Sequence, residues 1–366
     1  MGNRGDTMKV KRNQLQEGCI VASDLFLQTN QPFMKKNTVL TAELLEMINR
    51  FLVDVVEVEN KLVTGERFTP KEIIDEESVP ALEKEDPFID MYLSAVQTYK
   101  KYFQGWQSGL TVDIAQLRKM YLPLLEKAMD HQGDILKLHH YSTKENYLYH
   151  HAVFVGIFSA LIAKSLQFSK AEWIQVGLAG LMSDAGMSKL PHQLITKNGS
   201  LLQSEYEEVK KHPINSYKML KGLKGVTDAV LLAVLQHHER EDGSGYPMRV
   251  QAEKIHAFSQ IIAVADVYHA MVSERYYRTK QSPFKVIDEL NQEQFGKFQP
   301  SVIQALTKEL LRHLVGTTAR LNNGEIGEVI FMNQQHLTRP MIKIDNSEDI
   351  INLSTQTSLY IADILS

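Results

Sequence analysis

The spacing of apolar positions changes character along this chain. Before residue 60 the apolar residues fall in short runs: Val10, Ile20-Val21 and Leu25-Phe26-Leu27. Gly and Asn/Pro turns separate these runs, and this pattern predicts short strands. Thr41 then precedes Leu44, Leu45, Ile48 and Leu52, a three- and four-residue spacing that predicts a helix over Ala42–Phe51 capped by the threonine hydroxyl. Val53–Val58 alternates in the manner of a half-buried strand. The charged stretch Lys61–Asp86, with Pro70 and Pro80 inside it and Pro87 just after, predicts a linker. From Pro87 the period becomes helical, with Met91, Ala95, Val96 and Tyr99 on one stripe and Leu117, Met120, Tyr121 and Leu124 on the next. Between Thr143 and Arg312 the pattern predicts almost unbroken helix: Tyr147–Leu166, Glu172–Met182, Ser204–Leu220 and Ile255–Val272. Loops interrupt it at Met187–Ser200 and Glu241–Gln251. Ser204 and Glu207 approximate a capping box for the third of these helices. The last stretch, with Thr318–Leu321, Asn322-Asn323-Gly324, Gly327–Met332 and Met341–Ile344, predicts a small β-meander.

These elements predict a mainly α chain in four parts: a small α+β domain over residues 1–65, a linker and connecting helix over 66–110, a helical domain over 111–312, and a β-rich tail over 313–366. The 366 residues, 43% hydrophobic, suffice for one large core and one or two small ones. A formal net charge of −4 leaves no electrostatic footprint for nucleic acid. An anionic ligand would therefore depend on local charges or metal. The single cysteine, Cys19, excludes an intrachain disulfide and fits a reducing cytoplasm. No apolar run is expected to reach the length of a membrane span, and the N-terminus lacks the apolar region of a signal peptide. The expected location is the cytoplasm. The helix-rich segment Pro87–His140 fits either a homodimer interface or core packing.

Candidate chemistry centres on His237-His238-Glu239. The apolar run Ala229–Leu235 would close a helix by delivering the two imidazoles to its mouth, and a glycine-rich loop ending in Gly245-Tyr246-Pro247 follows. His151, Asp184, His212 and Asp266 lie elsewhere in the helical block, Asp266 inside the run Ile261–Ala265. A carboxylate in so apolar a run is costly to bury unless paired or bound to metal. Spacing alone leaves two readings open: a shared metal site, or core histidines satisfied by protein groups.

The order His151, Ser183-Asp184, His212-Pro213, His237-His238-Glu239, Asp242-Gly243-Ser244-Gly245-Tyr246-Pro247 and Ala265-Asp266-Val267-Tyr268 resembles the HD-GYP family. That family is the cyclic di-GMP phosphodiesterase branch of the HD superfamily of metal-dependent phosphohydrolases. The resemblance covers residues 143 to 295, and Arg275-Tyr276-Tyr277-Arg278 is similar to the family's trailing Arg-Pro-Tyr-Arg element. It implies an HD-type helical domain holding one or two divalent ions (Fe, Mn, Zn or Ni). One ion would take Asp184, His212, His237 and His238. The other would take His151, Asp184, Asp266 and the histidine of the HD pair. Asp184 would bridge them as the catalytic carboxylate. Gly245, Tyr246 and Pro247 would line the nucleotide loop, and Arg275 and Arg278 would hold phosphate or guanine. The implied partners are cyclic di-GMP or a related nucleotide, and a signalling protein such as a diguanylate cyclase domain.

The chain departs from that pattern at its centre. The motif histidine is Ser183, the motif lysine is Met187, and His269 stands where the family carries an aspartate. The set around Asp184, His212, His237 and His238 is complete, whereas the set around His151 lacks its fourth protein ligand. Loss of the lysine removes a preorganised positive charge, an interaction whose deletion typically costs about a hundredfold in rate. Two neighbours bear on repair. His150 diverges from His151 by about 100° on a helix and should point elsewhere. His269 shares the helix face of Asp266 and offers an imidazole. The expectation is a weakened or non-catalytic receptor or regulator. The alternatives are an active phosphodiesterase yielding pGpG or GMP, and a phosphohydrolase for another nucleotide.

Overall fold

The computed structural model describes residues 7–26, 32–50, 53, 55–70, 87–135, 137–197, 199–274, 281–292, 296–312, 314–333, 336–345, 347 and 349–365. Two compact units, Met1–Asp90 and Met91–Ser366, divide the chain. In the first, β1 (Thr7–Lys11), β2 (Cys19–Val21), β3 (Leu25–Phe26), β4 (Pro32–Met34), α1 (Ala42–Arg50) and β5 (Val55–Leu62) follow in order. β5 pairs antiparallel with both β1 and β2, giving the sheet order β1-β5-β2. Thr41 caps α1 as expected, its Oγ1 accepting from the Leu44 amide at 3.3 Å. Val10, Cys19, Val21, Ile48, Val56 and Val58 form the core of this unit. β5 runs four residues past the predicted Val53–Val58 alternation and turns back at Gly65, where the Phe68 amide bonds the Asn60 carbonyl at 2.8 Å. Its polar end pairs through the backbone, which a hydrophobic pattern does not register.

The second unit is mainly helical. It comprises α2 (Pro87–Gln107, beginning just before the division), α3 (Ile114–Ala128), α4 (Gln132–Ile135), α5 (Tyr147–Ser165), α6 (Lys170–Met182), α7 (His192–Ile195), α8 (Gln203–Val209), α9 (His212–Leu220), α10 (Asp228–Gln236), α11 (Ala257–Val272), α12 (Pro283–Gln292) and α13 (Pro300–Leu311). α5 is buried on all sides from His150 to Ala163 and packs against α6, α11 and α13. It has the length and apolarity to cross a membrane, contrary to the expectation that no run approaches a span. However, 78% of its apolar window is buried among neighbouring helices, which accounts for that composition.

Two further expectations are corrected. The loop expected over Met187–Ser200 contains the end of a 3-10 turn, Ala185–Lys189, and the short helix α7. The single helix expected over Ser204–Leu220 is two, α8 and α9, broken at Lys210-Lys211 because Pro213 has no amide to continue the ladder. The predicted capping box is also displaced. Glu205, not Glu207, accepts from the helix-start amide, that of Leu202, at 2.7 Å, and Leu202 has no side-chain oxygen to reciprocate.

The chain ends in a five-stranded antiparallel sheet of β6 (Thr318–Leu321), β7 (Ile326–Asn333), β8 (His336–Ile344), β9 (Ile350–Asn352) and β10 (Ile361–Ile364), in the order β10-β6-β7-β8-β9. The three predicted strands are present, and β10 closes beside β6. Leu321, Val329, Ile342, Leu353 and Ile361 fill its core together with Phe284 of α12 and Leu311 of α13.

Candidate metal centre

Four helix ends converge on one point. His151 projects from α5, Asp184 follows α6, His212 opens α9, His237 and His238 follow α10, and Asp266 lies in α11. Gly186 allows the first approach: a Cβ there would sit 2.1 Å from the His212 carbonyl oxygen, so only glycine lets the turn after Asp184 lie against α9. Ser216 ties the two together, its hydroxyl accepting from the Gly186 amide and donating to the Ser183 carbonyl, both at 2.7 Å.

Asp184 stands between two groups. Its Oδ1 lies 3.1 Å from His212 Nε2 and 3.8 Å from His237 Nε2. Its Oδ2 lies 3.4 Å from His151 Nε2, which in turn lies 2.9 Å from Asp266 Oδ1. His238 Nδ1 faces the other oxygen of Asp266 at 3.8 Å. Asp184, His212, His237 and His238 form one set of ligand-type atoms within 4.8 Å of one another, and His151, Asp184 and Asp266 form a second. The structure thus brings together all six residues named as metal ligands.

The tautomers follow from the backbone. His212 Nδ1 donates to the Val209 carbonyl at 2.7 Å, and His237 Nδ1 donates to the Val234 carbonyl at 2.7 Å. A carbonyl only accepts, so both Nδ1 atoms carry the proton and both Nε2 atoms present lone pairs. Those lone pairs face each other at 3.2 Å. Two lone pairs at hydrogen-bond distance repel unless a cation lies between them or one ring is protonated. The donor set therefore fits a divalent metal.

Electrostatics point the same way. Burial alone would raise Asp184, but the His212 and His237 imidazoles outweigh it and hold the carboxyl well below its usual range. Asp266 is likewise held low: burial opposes ionisation, and the His151 hydrogen bond overcomes it. Burial, with His237 beside it, keeps His238 neutral well below the ordinary histidine range, so its lone pair stays available. His150 points away, as expected, and its Nδ1 meets the buried Tyr92 hydroxyl at 3.1 Å.

Neither departure from the motif supplies a substitute ligand among the described residues. The Ser183 hydroxyl donates to the Gly180 carbonyl at 2.8 Å and is thereby tied back into α6. Met187, half-buried, brings no charge, and the ammonium of nearby Lys189 donates to the Trp106 carbonyl at 2.6 Å. His269 does not join the ligand atoms of either set. It lies behind His151, Nδ1 to Nδ1 at 3.0 Å, with Tyr147 Oη also 3.0 Å from His151 Nδ1. Sequence reasoning missed Tyr147, although its place one turn before His151 was a usable signal.

The glycine-rich loop folds over the complete set. The Tyr246 ring centroid is 4.7 Å from that of His238, and its amide donates to the His238 carbonyl at 3.2 Å. A Cβ on Gly245 would lie 2.5 Å from backbone atoms of His238, Glu239 and Arg240, so glycine is obligatory for this fold-back. The loop's anchor is the buried Glu239 carboxylate, which accepts from the amides of Met248, Arg249 and Val250 at 2.6, 3.1 and 3.2 Å. This role was not legible in the motif. Arg240 stacks on Phe298 at 4.7 Å and closes the loop's base. Arg275 and Arg278 fall outside the described residues.

A helical bundle bearing these converging imidazoles and carboxylates defines a metal-site domain of the HD kind. Residues 134–302 match the family described as "HD domain". Among curated relatives, the chain is 31% identical over 66% of its length to a cyclic di-GMP phosphodiesterase of Pseudomonas aeruginosa, covering 58% of that protein. It is 32% identical over 41% of its length to the cyclic di-GMP phosphodiesterase response regulator RpfG of Xanthomonas campestris, covering 40% of it. It is 29% identical over 46% of its length to a 3'3'-cGAMP-specific phosphodiesterase of Vibrio cholerae, covering 36% of it. The chain thus spans about half the length of the curated relatives it matches. Among solved structures, an HDG"Y"P protein from Bdellovibrio bacteriovorus aligns at a TM-score of 0.48 and 15% identity, covering 82% of this chain and 98% of that one.

Proposed function

We propose that this chain is an HD-GYP-type protein of cyclic dinucleotide signalling, with cyclic di-GMP as the nucleotide. In this reading it holds one metal firmly and acts as a receptor or regulator with weak or no hydrolysis. The observation that carries the reading is the asymmetry of the two ligand sets. Asp184, His212, His237 and His238 offer four donors, while His151, Asp184 and Asp266 offer three, and Ser183 is committed to Gly180. A divalent cation held there would supply Lewis acidity and lower the pKa of a bound water. The chain's own residues would do the rest. Asp184 would hold both sets in register, His151 and Asp266 would orient whatever fills the weaker position, and Tyr246 would cover His238 and stack against a base. Lys210, whose ammonium lies 5.8 Å from the Tyr246 ring centroid, adds a positive charge beside the loop, though Glu207 already pairs with it at 2.8 Å. Arg275 and Arg278 would contribute phosphate or guanine contacts. The N-terminal α+β unit and the β-rich tail would serve as input and docking modules for a signalling protein.

A second reading, an active phosphodiesterase for cyclic di-GMP or another cyclic dinucleotide, draws support from the names of the relatives. One experiment separates the two: metal content per chain, cyclic di-GMP binding and hydrolysis, measured on wild type and on Ser183→His/Met187→Lys. The receptor reading expects one metal, nucleotide binding and little product from wild type, with a large gain in the double variant. Two metals and strong wild-type turnover would overturn it.

A further inference from the structure

An exposed aromatic ring stands at the mouth of the candidate metal centre. Tyr206 of α8 is 42% exposed, and Leu202, four residues earlier on the same side, is 64% exposed. Lys210 links this side of α8 to the glycine-rich loop. Its ammonium lies 4.7 Å from the Tyr206 ring centroid and 5.8 Å from that of Tyr246. Electrostatics also bring the two phenols together: burial first, then Asp266 and Tyr206, push the Tyr246 hydroxyl above its ordinary range. Tyr246 in turn lies 4.7 Å from His238 and 6.4 Å from His212, between ring centroids. The order outward from the candidate ligands is therefore imidazole, Tyr246, ammonium, Tyr206. The Lys210–Glu207 contact, at 2.8 Å to a carboxylate that is itself exposed, is a surface pair of the weak kind, so the ammonium stays available.

We propose that Tyr206 is a second base-stacking platform, so that this mouth selects a nucleotide with two bases. One base packs on Tyr246 and the other on Tyr206, and the Lys210 ammonium between them meets the anionic sugar–phosphate ring that joins the bases. The inference rests on the cyclic dinucleotide reading above and adds what separates a cyclic dinucleotide from a mononucleotide at this site. Stacking on an aromatic side chain tolerates any base, because every base has a π-face. The two rings thus count bases rather than read them.

The test is isothermal titration of the full-length, manganese-loaded chain with cyclic di-GMP and, in competition, with GMP. Tyr206→Ala is expected to weaken cyclic di-GMP binding roughly tenfold, as the loss of one stacked base does. GMP, with a single base, should bind wild type and Tyr206→Ala alike. Tyr206→Phe, which keeps the ring and drops the hydroxyl, should retain wild-type affinity. Metal content and melting curves would establish that each variant is loaded and folded. Equal cyclic di-GMP affinity in wild type and Tyr206→Ala, an equal loss for GMP, or a loss in Tyr206→Phe as large as in Tyr206→Ala would each overturn the second platform and leave the cyclic dinucleotide reading standing. No binding of cyclic di-GMP to wild type would overturn that reading itself, and the platform with it.

Discussion

His212 and His237 present their Nε2 lone pairs to each other at 3.2 Å, each ring fixed by an Nδ1 hydrogen bond to the carbonyl three residues before it. That contact is repulsive without a positive charge between the rings. A divalent ion held by the two nitrogens should therefore raise the melting temperature of the chelated protein. Scanning calorimetry with and without added zinc or manganese checks this. His237→Ala removes one of the paired donors and should reduce metal content to well below one per chain.

The His269 imidazole supports His151 from behind, and Tyr147 approaches the same nitrogen. Loss of such a supporting contact typically weakens metal affinity about 10–100-fold. His269→Ala should weaken the three-donor set by that amount and leave the four-donor set unchanged. Titration of the second metal against a chromogenic chelator would show it. A weaker first site instead would mean that the two sets are not separable.

Glu239 satisfies three loop amides with one carboxylate. In Glu239→Gln one oxygen becomes an NH2 that faces N–H donors, so hydrogen exchange at Met248, Arg249 and Val250 should accelerate. A stability loss of about 1.5–3 kcal/mol is expected. Metal content should persist, because His237 and His238 are positioned by α10.

The two close-packed glycines separate fold from recognition. Gly186→Ala would drive a Cβ into the His212 carbonyl and should lower both melting temperature and metal content. Gly245→Ala should displace Tyr246 and weaken nucleotide binding while the metal remains. Metal analysis and nucleotide titration on the two variants would distinguish these outcomes.

Burial, with Lys100 adding to it, lowers the pKa of His150 from the ordinary 6.5 to about 4. The folded chain refuses a proton that the unfolded chain accepts. This contribution is therefore complete above pH 6.5 and is lost as pH falls towards 4, by roughly 3 kcal/mol in all. Urea unfolding of the chelated protein at pH 7 and pH 4.5 should show a smaller fall for His150→Phe than for wild type.

Much of this molecule is legible in its sequence. The all-round apolarity of Tyr147–Leu166 gave the central helix, and the period-two run at Val53–Val58 gave the first part of a strand. The six ligand-type residues could be named because few side chains carry lone pairs or charge inside such apolar runs. What stayed hidden depends on backbone partners. The polar end of β5 pairs through amides, the α8–α9 break follows from one missing amide, and Glu239 acts on amides nine to eleven residues downstream. The position of His269 was equally hidden. Its helix face was predictable, but that it meets the back of His151 depends on how α5 and α11 cross.

The break at Pro213 has a consequence for how variation in this protein should be read. A continuing helix would have matched the Val209 carbonyl with an amide at position 213; proline supplies none, and the His212 ring takes that carbonyl instead. The candidate ligand is thus aimed by a residue that offers no donor atom of its own. A catalogue of mutations restricted to the ligand-type side chains would class Pro213 as a bystander, although replacing it would restore a competitor for the carbonyl that sets the imidazole's direction.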